Sequence, residues 1–256
     1  MASEPAIEAY LREAPYLHAY ELGDLDPREA PHTTWLASPA ADAVALIYRG
    51  LATPTVVALA HGDLAPLRAL LAARLAELPA RFYAHLTPGL EDVLAARYRC
   101  DLLGHNRKMA LVAPPGDPGD SSEHEAGVVR LGPEHADEAL RFYATSYPDG
   151  YFDPRNLSRG PHVAVRDARG LAAAAGVHVY SPAKRVAALG NIATRPDARG
   201  RGHAGRATAA LCRLLRREVD IIGLNVRADN APAIACYQRV GFELRDAYDE
   251  WRMTQR

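Results

Sequence analysis

The feature of this sequence that most constrains its fold is a glycine-rich turn between an apolar stretch and a helical pattern. The turn, residues 199–205, reads Arg-Gly-Arg-Gly-His-Ala-Gly and follows the apolar run 186–193, which predicts a β-strand. In residues 206–218, apolar side chains recur at helical spacing and arginines fall on the other side, which indicates an amphipathic helix. The sequence therefore predicts a strand, a tight turn and a helix in direct succession.

This succession suits the binding of an anion. The first turn of a helix has backbone N–H groups without intrahelical acceptors, and the helix dipole favours negative charge there. Glycines lack the Cβ atom that would keep a phosphate away from those donors. Residues 185–217 also contain eight arginines and a single acidic residue, Asp197. We therefore expect the turn to bind a diphosphate.

Two common phosphate-binding motifs do not explain the turn. It is not a P-loop, because no Gly-Lys-Ser/Thr follows the glycines. Gly200, Gly202 and Gly205 match the spacing of the dinucleotide fingerprint, but no acidic residue ends a second strand about 20 residues later. Asp220 stands at that distance, yet it precedes the next predicted strand. The sequence therefore favours another class of diphosphate ligand.

The turn and a second motif together resemble the GNAT family of N-acetyltransferases. Arg199-x-x-Gly202-x-Ala204 is similar to the Q/R-x-x-G-x-G/A motif with which that family binds the pyrophosphate of acetyl-CoA. The stretch 224–242, which includes Asn230 and Tyr237, resembles the second motif of the family. The resemblance covers about residues 126–256 and implies an α/β protein with an α+β mixed sheet, the GNAT-type acyl-CoA N-acyltransferase fold.

The resemblance implies acetyl-CoA as the co-substrate and assigns the residues that bind it. The end of the strand before the turn would leave backbone groups free for the acetyl and pantetheine portions. Asn230 would reach the pantetheine amides, cap the helix that begins at Ala231, or do both. The residues expected to bind acetyl-CoA are Ile192, Ala193, Thr194, Arg199, Gly200, Arg201, Gly202, His203, Ala204, Gly205, Asn230 and Tyr237.

The resemblance also implies the acid of the reaction and leaves the base open. Tyr237 stands where the family has a tyrosine that protonates the sulfur of CoA, and the pKa of a phenol is close to that of a thiol. Many members carry a glutamate before the turn, whereas residues 189–192 here read Leu-Gly-Asn-Ile. His178 is the candidate base on the preceding strand, with a structural histidine as the alternative interpretation. Asp249 and Glu250 are further candidates.

The expected acceptor is a primary amine of a small molecule or peptide, which attacks acetyl-CoA directly in a ternary complex. Tyr147, Tyr151, Phe152 and Asp153 lie where the first helices of the family close over the acceptor. They are candidates for its pocket, and a packed surface loop is the alternative interpretation. The identity of the acceptor is not predicted by these residues.

A proline- and serine-rich stretch after residue 113 predicts the domain organisation. We expect an N-terminal α/β domain over residues 1–113, a linker over 114–125 and a GNAT domain over 126–256. The first half repeats the strand and helix order of the second, so we interpret it as a degenerate GNAT-like copy, with an unrelated α+β cap as the alternative. Tandem halves with one active site occur in the glycine N-acyltransferase branch of the family. The counterpart of the turn, residues 61–66, lacks a glycine pair and an arginine, so it should not hold a diphosphate.

Composition restricts the classes of partner. The 256-residue chain has a net charge of −1, which argues against bulk attraction to nucleic acid or membranes. Its three cysteines form no C-x-x-C pair, which favours a reducing compartment and no metal site. No apolar leader or membrane span is evident in the sequence. We expect a cytoplasmic monomer or homodimer with no metal, nucleic-acid or membrane partner.

Two functions from other classes compete with catalysis. The first is a catalytically inactive, CoA-binding regulatory module, which the missing strand glutamate favours. The second is an RNA- or phosphate-binding module that would use the arginines near the turn, and low net charge argues against it. Its binding residues would be Arg195, Arg199, Arg201 and Arg206.

Periodicity predicts the remaining elements along the chain. The predicted strands are 33–37, 43–48, 55–60, 81–86, 108–112, 127–131, 162–166, 171–180, 221–226, 242–244 and 250–253. The predicted helices are 6–19, 90–98, 133–143, 206–218, 231–240 and one that Asp63 would cap and that runs to about residue 78.

Overall fold

The computed structural model describes residues 2–112, 127–148, 150 and 152–256. The predicted linker and Tyr151 lie outside these residues. The chain forms two compact units, the first made of Met1–Lys108, Val226–Asp229 and Arg245–Arg256, the second of Met109–Asn225 and Asn230–Leu244. The predicted division into domains at 1–113 and 126–256 stays a prediction, because its boundary is not described.

Both units contain helices and strands. The strands are β1 (Thr33–Ala37), β2 (Val44–Tyr48), β3 (Thr55–Ala58), β4 (Arg81–Leu86), β5 (Tyr98–Leu111), β6 (Val128–Leu131), β7 (His162–Asp167), β8 (Gly170–Ser181), β9 (Val186–Thr194), β10 (Ile221–Arg227) and β11 (Phe242–Gln255). The helices are α1 (Glu4–Glu13), α2 (Ala19–Asp24), α3 (Ala65–Arg74), α4 (Glu91–Ala95), α5 (Ala136–Ser146), α6 (Asn156–Arg159), α7 (His203–Leu215) and α8 (Ala231–Val240). Short 3-10 helices occupy Ala30–His32, Leu75–Glu77, Pro133–His135 and Pro196–Ala198.

The first unit is a mixed sheet with a core between its strands and α3. β1, β2 and β3 are successive antiparallel neighbours, β3 is parallel to β4, and β4 is antiparallel to β11. Leu67 and Leu71 of α3 are buried with Phe82 and Leu86 of β4 in one apolar cluster. Each such side chain stabilises the folded state by about 1.5–3 kcal/mol when it is fully buried.

The second unit is also a mixed sheet, and it contains the glycine-rich turn. β6, β7, β8 and β9 are successive antiparallel neighbours, and β10 is parallel to β9. Phe142 and Tyr143 of α5 are buried with Ala174 of β8 and Ala193 of β9. α7 packs against β7, β8, β9 and α8. The predicted fold class, a mixed α/β sheet with helices, is confirmed in both units.

Several predicted boundaries are wrong for identifiable local reasons. The helix predicted over 6–19 is two helices, because Pro15 disfavours the helical region for Ala14, whose φ is −133°. The helix predicted over 206–218 begins at His203, directly after the left-handed Gly202. Two strands predicted at 242–244 and 250–253 are one strand, β11. In the described residues, no helix combines the length and the hydropathy needed to span a lipid bilayer.

Candidate active site

The glycine-rich turn joins β9 to α7 through two left-handed glycines. The φ angles of Gly200 and Gly202 are +75° and +77°, in a region of backbone conformation that residues with a Cβ rarely adopt. A Cβ placed on either glycine would meet no atom within 4 Å, so the space above the backbone is open. Gly202 O accepts the Arg206 N–H at 3.1 Å, so the amides of residues 203–205 precede the first intrahelical bond of α7. The turn therefore presents backbone donors to an open surface.

The arginines near the turn have different surroundings. The Arg195 guanidinium contacts Asp167 and Asp197, each at 2.6 Å, and these carboxylates raise its pKa. Arg195 therefore stabilises the segment before the turn, which removes one member of the arginine set expected for an RNA- or phosphate-binding module. Arg199 and Arg201 are exposed, and Arg199 Nε donates to Thr194 O at 3.4 Å. These two side chains supply positive charge beside the open backbone.

β9 loses its pairing with β10 before it reaches the turn. The parallel register runs from Val186↔Ile221 to Leu189↔Leu224 and ends there, whereas β9 continues to Thr194. On its other edge, β9 stays paired with β8 as far as Thr194. The β10-facing backbone of residues 190–194 is therefore left without a β10 partner. It includes groups of Ile192 and Thr194, whereas Ala193 pairs with Ala174 of β8.

A bulge distorts β9 within this unpaired stretch. Asn191 has a φ of +52°, and the β8–β9 register shifts beside it. The Tyr143 hydroxyl donates to Asn191 O at 2.7 Å, and burial raises the pKa of Tyr143. The Asn191 side chain is 4% exposed, and neither its Oδ1 nor its Nδ2 has a partner among the described residues. Bulges often re-aim side chains beside active sites.

Tyr237 lies on α8 with a buried ring. It is 8% exposed and packs edge-on against Phe242, with ring centroids 6.2 Å apart. Its hydroxyl makes no hydrogen bond to any other described residue. Burial raises the pKa of Tyr237, and Cys236 and Tyr147 raise it further. Tyr147 also raises the pKa of Tyr143.

Asn230 caps the N-terminus of α8. Its Oδ1 accepts the Ala233 N–H at 3.2 Å, so the predicted capping role is present in the structure. Its role in binding pantetheine stays a prediction.

Replacing Asn230 with alanine should therefore lower the free energy of unfolding by about 1 kcal/mol. The cause is the loss of the acceptor for the Ala233 N–H. Urea denaturation of the wild type, Asn230→Ala and Asn230→Asp measures it, since aspartate keeps an acceptor oxygen and should restore most of the stability. Equal stability of all three proteins would show that the cap contributes nothing.

The candidate bases occupy different surroundings. The His178 ring lies against Gly190, and burial lowers its pKa to about 4, with His162 as the second cause. His178 is nevertheless an exposed residue, and contact with solvent weakens this desolvation. In the first unit, Asp249 Oδ1 lies 2.6 Å from His105 Nδ1, and His85 lowers the pKa of Glu250.

The residues expected around the acceptor are only partly placed. Tyr147 is exposed, whereas Phe152 stacks on Tyr143 with ring centroids 4.1 Å apart. The Asp153 carboxylate pairs with Arg155 at 2.5 Å. Tyr151 lies outside the described residues, so the pocket stays a hypothesis.

The counterpart turn in the first unit is built differently. β3 and β4 stay paired to Ala58↔Leu86, and Thr87 extends the contact by donating its N–H to Ala58 O at 3.1 Å. Thr87 Oγ1 accepts the Ala60 N–H at 2.9 Å. Asp63 Oδ1 accepts the Ala65 N–H at 2.9 Å, which places a carboxylate at the start of α3. The paired strands leave no free backbone donors for a ligand, and the carboxylate repels an anion, so this turn is unfavourable for binding a diphosphate.

Sequence reasoning missed how the neighbours of β9 shape this region. It did not identify the Tyr143 bond to the bulge or the contact of His178 with Gly190. Gly176 and Gly190 were the available signals, since a glycine inside a strand often marks a bulge or a close approach. Among the described residues, no group of three or more His, Cys, Asp or Glu side chains could hold a metal ion.

Comparisons with known proteins give a family match and similar folds. Residues 132–242 match the model of the acetyltransferase (GNAT) family. Among solved structures, a protein from Novosphingobium aromaticivorans assigned to the GNAT family is 22% identical, with a TM-score of 0.60 over 92% of this chain and 96% of that one. A GCN5-related N-acetyltransferase from Kribbella flavida is 19% identical, with a TM-score of 0.60 over 93% of this chain and 95% of that one.

A third solved structure has two GNAT halves. It is a tandem GNAT protein from the clavulanic acid biosynthesis pathway, determined without acetyl-CoA. It is 22% identical, with a TM-score of 0.54 over 96% of this chain and 92% of that one. A comparison with curated proteins finds no match. At these identities, the solved structures show the fold.

Proposed function

Because residues 132–242 form an acetyltransferase domain of the GNAT family, we propose that this acyltransferase moves the acetyl group of acetyl-CoA to a primary amine. The observation that carries the proposal is the open turn at Gly200 and Gly202 beside an unpaired strand end. The diphosphate of acetyl-CoA requires anion-binding donors, and its long thioester arm requires strand backbone that is free to form hydrogen bonds. The acceptor would be a small molecule or a peptide.

The residues of the turn would hold the diphosphate of acetyl-CoA. The amides of residues 203–205 have no intrahelical acceptor, and the N-terminal end of the α7 dipole favours anions. Arg199 and Arg201 add exposed positive charge. The remaining turn residues, Gly200, Gly202, His203, Ala204 and Gly205, bring this backbone close to the ligand.

The unpaired end of β9 would hold the thioester. Backbone groups of Ile192 and Thr194 that β10 leaves unpaired are available to the pantetheine amides and the acetyl carbonyl, and Ala193 lies between them. An N–H directed at that carbonyl would stabilise the oxyanion of the tetrahedral intermediate. The Tyr143 hydroxyl, bonded to Asn191 O, holds the bulge that shapes this strand end.

Acyl transfer would proceed by direct attack in a ternary complex. The amine nitrogen forms a bond to the thioester carbon, the carbon–sulfur bond breaks, and the departing thiolate takes a proton from the Tyr237 hydroxyl. The proton released by the amine passes to His178, directly or through water. The Tyr237 hydroxyl has no hydrogen-bond partner among the residues that the structure describes, which supports its role as the acid.

A CoA-binding regulatory module without turnover is the second candidate. Residues 189–192 read Leu-Gly-Asn-Ile, so the glutamate found here in many GNAT enzymes is missing. The Asn191 carboxamide cannot accept a proton in its place. Binding of acetyl-CoA without release of thiol on any amine would favour this candidate.

Titration of the protein with acetyl-CoA, CoA and NAD tests the proposal. Acetyl-CoA at 100 times its dissociation constant should stabilise the native protein by about 2.7 kcal/mol, and NAD should have no effect. Calorimetry should give one acetyl-CoA site per chain, because the counterpart turn has paired strands and a carboxylate. Thiol release over an amine panel then tests turnover. No stabilisation by either CoA species would contradict the proposal.

A further inference from the structure

Two histidine rings of the second unit lie on a pair of glycines. Gly176 of β8 and Gly190 of β9 are directly opposed across the strands. A Cβ at Gly176 would overlap the His162 ring, and a Cβ at Gly190 would overlap the His178 ring. Opposed residues direct their Cβ positions to the same face, about 5 Å apart. The two imidazoles therefore lie side by side on one face of the sheet.

Register shifts place this imidazole pair beside the unpaired end of β9. In the β8–β9 pairing, Val177 lies opposite Leu189 and Val179 lies opposite Ala188, so His178 is an extra residue of β8. This bulge directs the His178 ring over Gly190. Ile192 follows Gly190 by two residues, just beyond the bulge at Asn191. The pair therefore lies next to the backbone proposed to hold the thioester.

His162 offers a hydrogen-bond acceptor in a buried position. The side chain is 2% exposed, and burial lowers its pKa, so the ring is neutral. Its Nδ1 lies 3.0 Å from Gly160 O, and a carbonyl only accepts, so Nδ1 carries the hydrogen. Nε2 then carries a lone pair, and it has no partner among the described residues. This lone pair suits an N–H donor.

The surroundings of the imidazole pair disfavour positive charge. His162 is the buried member of the pair, and its burial lowers the pKa of its imidazole. The same desolvation that penalises an imidazolium penalises an ammonium ion at that place. An uncharged amine has no such penalty, and it keeps the lone pair needed for attack.

We propose that His162 and His178 receive the acceptor amine in its uncharged form, so that the substrates are amines of low basicity, such as peptide α-amines, rather than lysine side chains. The inference rests on the proposed function and specifies its substrate class. The amine lone pair attacks the thioester carbon, the released proton passes to His178, and the thiolate is protonated by Tyr237. At pH 7, an α-amine with a pKa near 8 is about 10% uncharged, and a lysine amine near 10.4 is about 0.04% uncharged.

A peptide with a free N-terminus and one internal lysine tests the proposal in a single reaction. We expect wild-type protein with acetyl-CoA at pH 7 to acetylate the α-amine at least about tenfold faster than the lysine amine. Mass spectrometry of the fragmented product locates the acetyl group. Equal or faster acetylation of lysine would overturn the inference and leave the proposed function intact, whereas absence of thiol release with any amine would overturn both.

A matched pair of variants separates a chemical role from a structural one. His178→Gln keeps an uncharged side chain, whereas His178→Glu supplies a carboxylate that stabilises an ammonium ion. We expect the lysine share of the product to rise at least about tenfold in the Glu variant relative to the Gln variant. A structural role would slow both products equally, so equal shares in the two variants would overturn the inference.

Gly190→Ala provides a second readout without removing the histidine. The new methyl group displaces the His178 ring, so the preference for the α-amine should fall while the affinity for acetyl-CoA stays unchanged. Gly62→Ala is the control for destabilisation alone, because an added Cβ is strained at its φ of +92° and Gly62 lies in the first unit. An unchanged preference in folded Gly190→Ala protein would overturn the inference.

Discussion

A protein carrying Gly202→Glu is expected to bind acetyl-CoA at least about 100-fold more weakly than the wild type, a loss of about 2.7 kcal/mol. Two effects combine at this position. Gly202 has a φ of +77°, where a residue with a Cβ is strained by about 1–2 kcal/mol. The new carboxylate also lies at the start of α7, beside the amides proposed to hold a diphosphate, and it repels that anion. Calorimetric titration with acetyl-CoA measures the loss.

Two further variants separate strain from charge. Gly202→Ala adds strain alone, so its affinity should fall between those of the wild type and Gly202→Glu. Gly62→Glu adds the same charge at another left-handed glycine, with a φ of +92°, in the counterpart turn of the first unit. It should leave acetyl-CoA affinity unchanged. Normal affinity in folded Gly202→Glu protein would remove the basis for assigning the turn to acetyl-CoA.

Removal of the Tyr237 hydroxyl should affect turnover far more than binding. We expect Tyr237→Phe to lower kcat by about 100-fold to 10,000-fold, the usual contribution of a positioned acid. The affinity for acetyl-CoA should stay within about threefold, or less than 1 kcal/mol. Phenylalanine keeps the ring that packs against Phe242, and the lost hydroxyl has no partner among the described residues, so stability should also be retained.

Steady-state thiol release and acetyl-CoA titration measure these two quantities on the same protein. Tyr147→Phe is the matched control, because Tyr147 lies close enough to raise the pKa of Tyr237. A large loss of kcat in Tyr147→Phe together with normal turnover in Tyr237→Phe would assign the acid to Tyr147. An unchanged rate in both variants would exclude these two tyrosines as the acid.

The raised pKa of Tyr237 defines the pH range in which it could serve as the proposed acid. A phenol is the proton donor only while protonated, and a raised pKa keeps it protonated to higher pH than a solvent-exposed tyrosine. Burial would raise the pKa of a thiol held against Tyr237 as well, so the proton transfer between them stays nearly balanced. Ionisation of Tyr237 should therefore cause no loss of kcat below about pH 10.

Local sequence determined the parts of this protein that depend on neighbours along the chain. The turn at 199–205 follows from its glycines, since the left-handed angles at Gly200 and Gly202 need residues without a Cβ. The helix predicted over 231–240 has those bounds in the structure, with Asn230 as its cap. The resemblance to the GNAT family rests on these two segments, and the family match over 132–242 confirms it.

Tertiary structure decided the features that depend on strand register. The end of the β9–β10 pairing at Leu189↔Leu224 and the bulge at Asn191 arise from contacts between distant segments. A shift of one residue in register reverses the face of every side chain, and periodicity along one strand does not fix that register. The sequence therefore named His178 as a candidate without predicting that its ring lies on Gly190 beside His162.

The composition of the two compact units was likewise a tertiary outcome. The C-terminal residues Arg245–Arg256 belong to the first unit, although they follow the second motif directly in the chain. Strand pairing, such as that of Trp251 with Ala84, joins residues far apart in sequence, and local pattern carries no information on which distant strand is chosen. The conformation of turns and helix caps is determined by adjacent residues. The choice of strand partners is determined by how much apolar surface the paired strands bury.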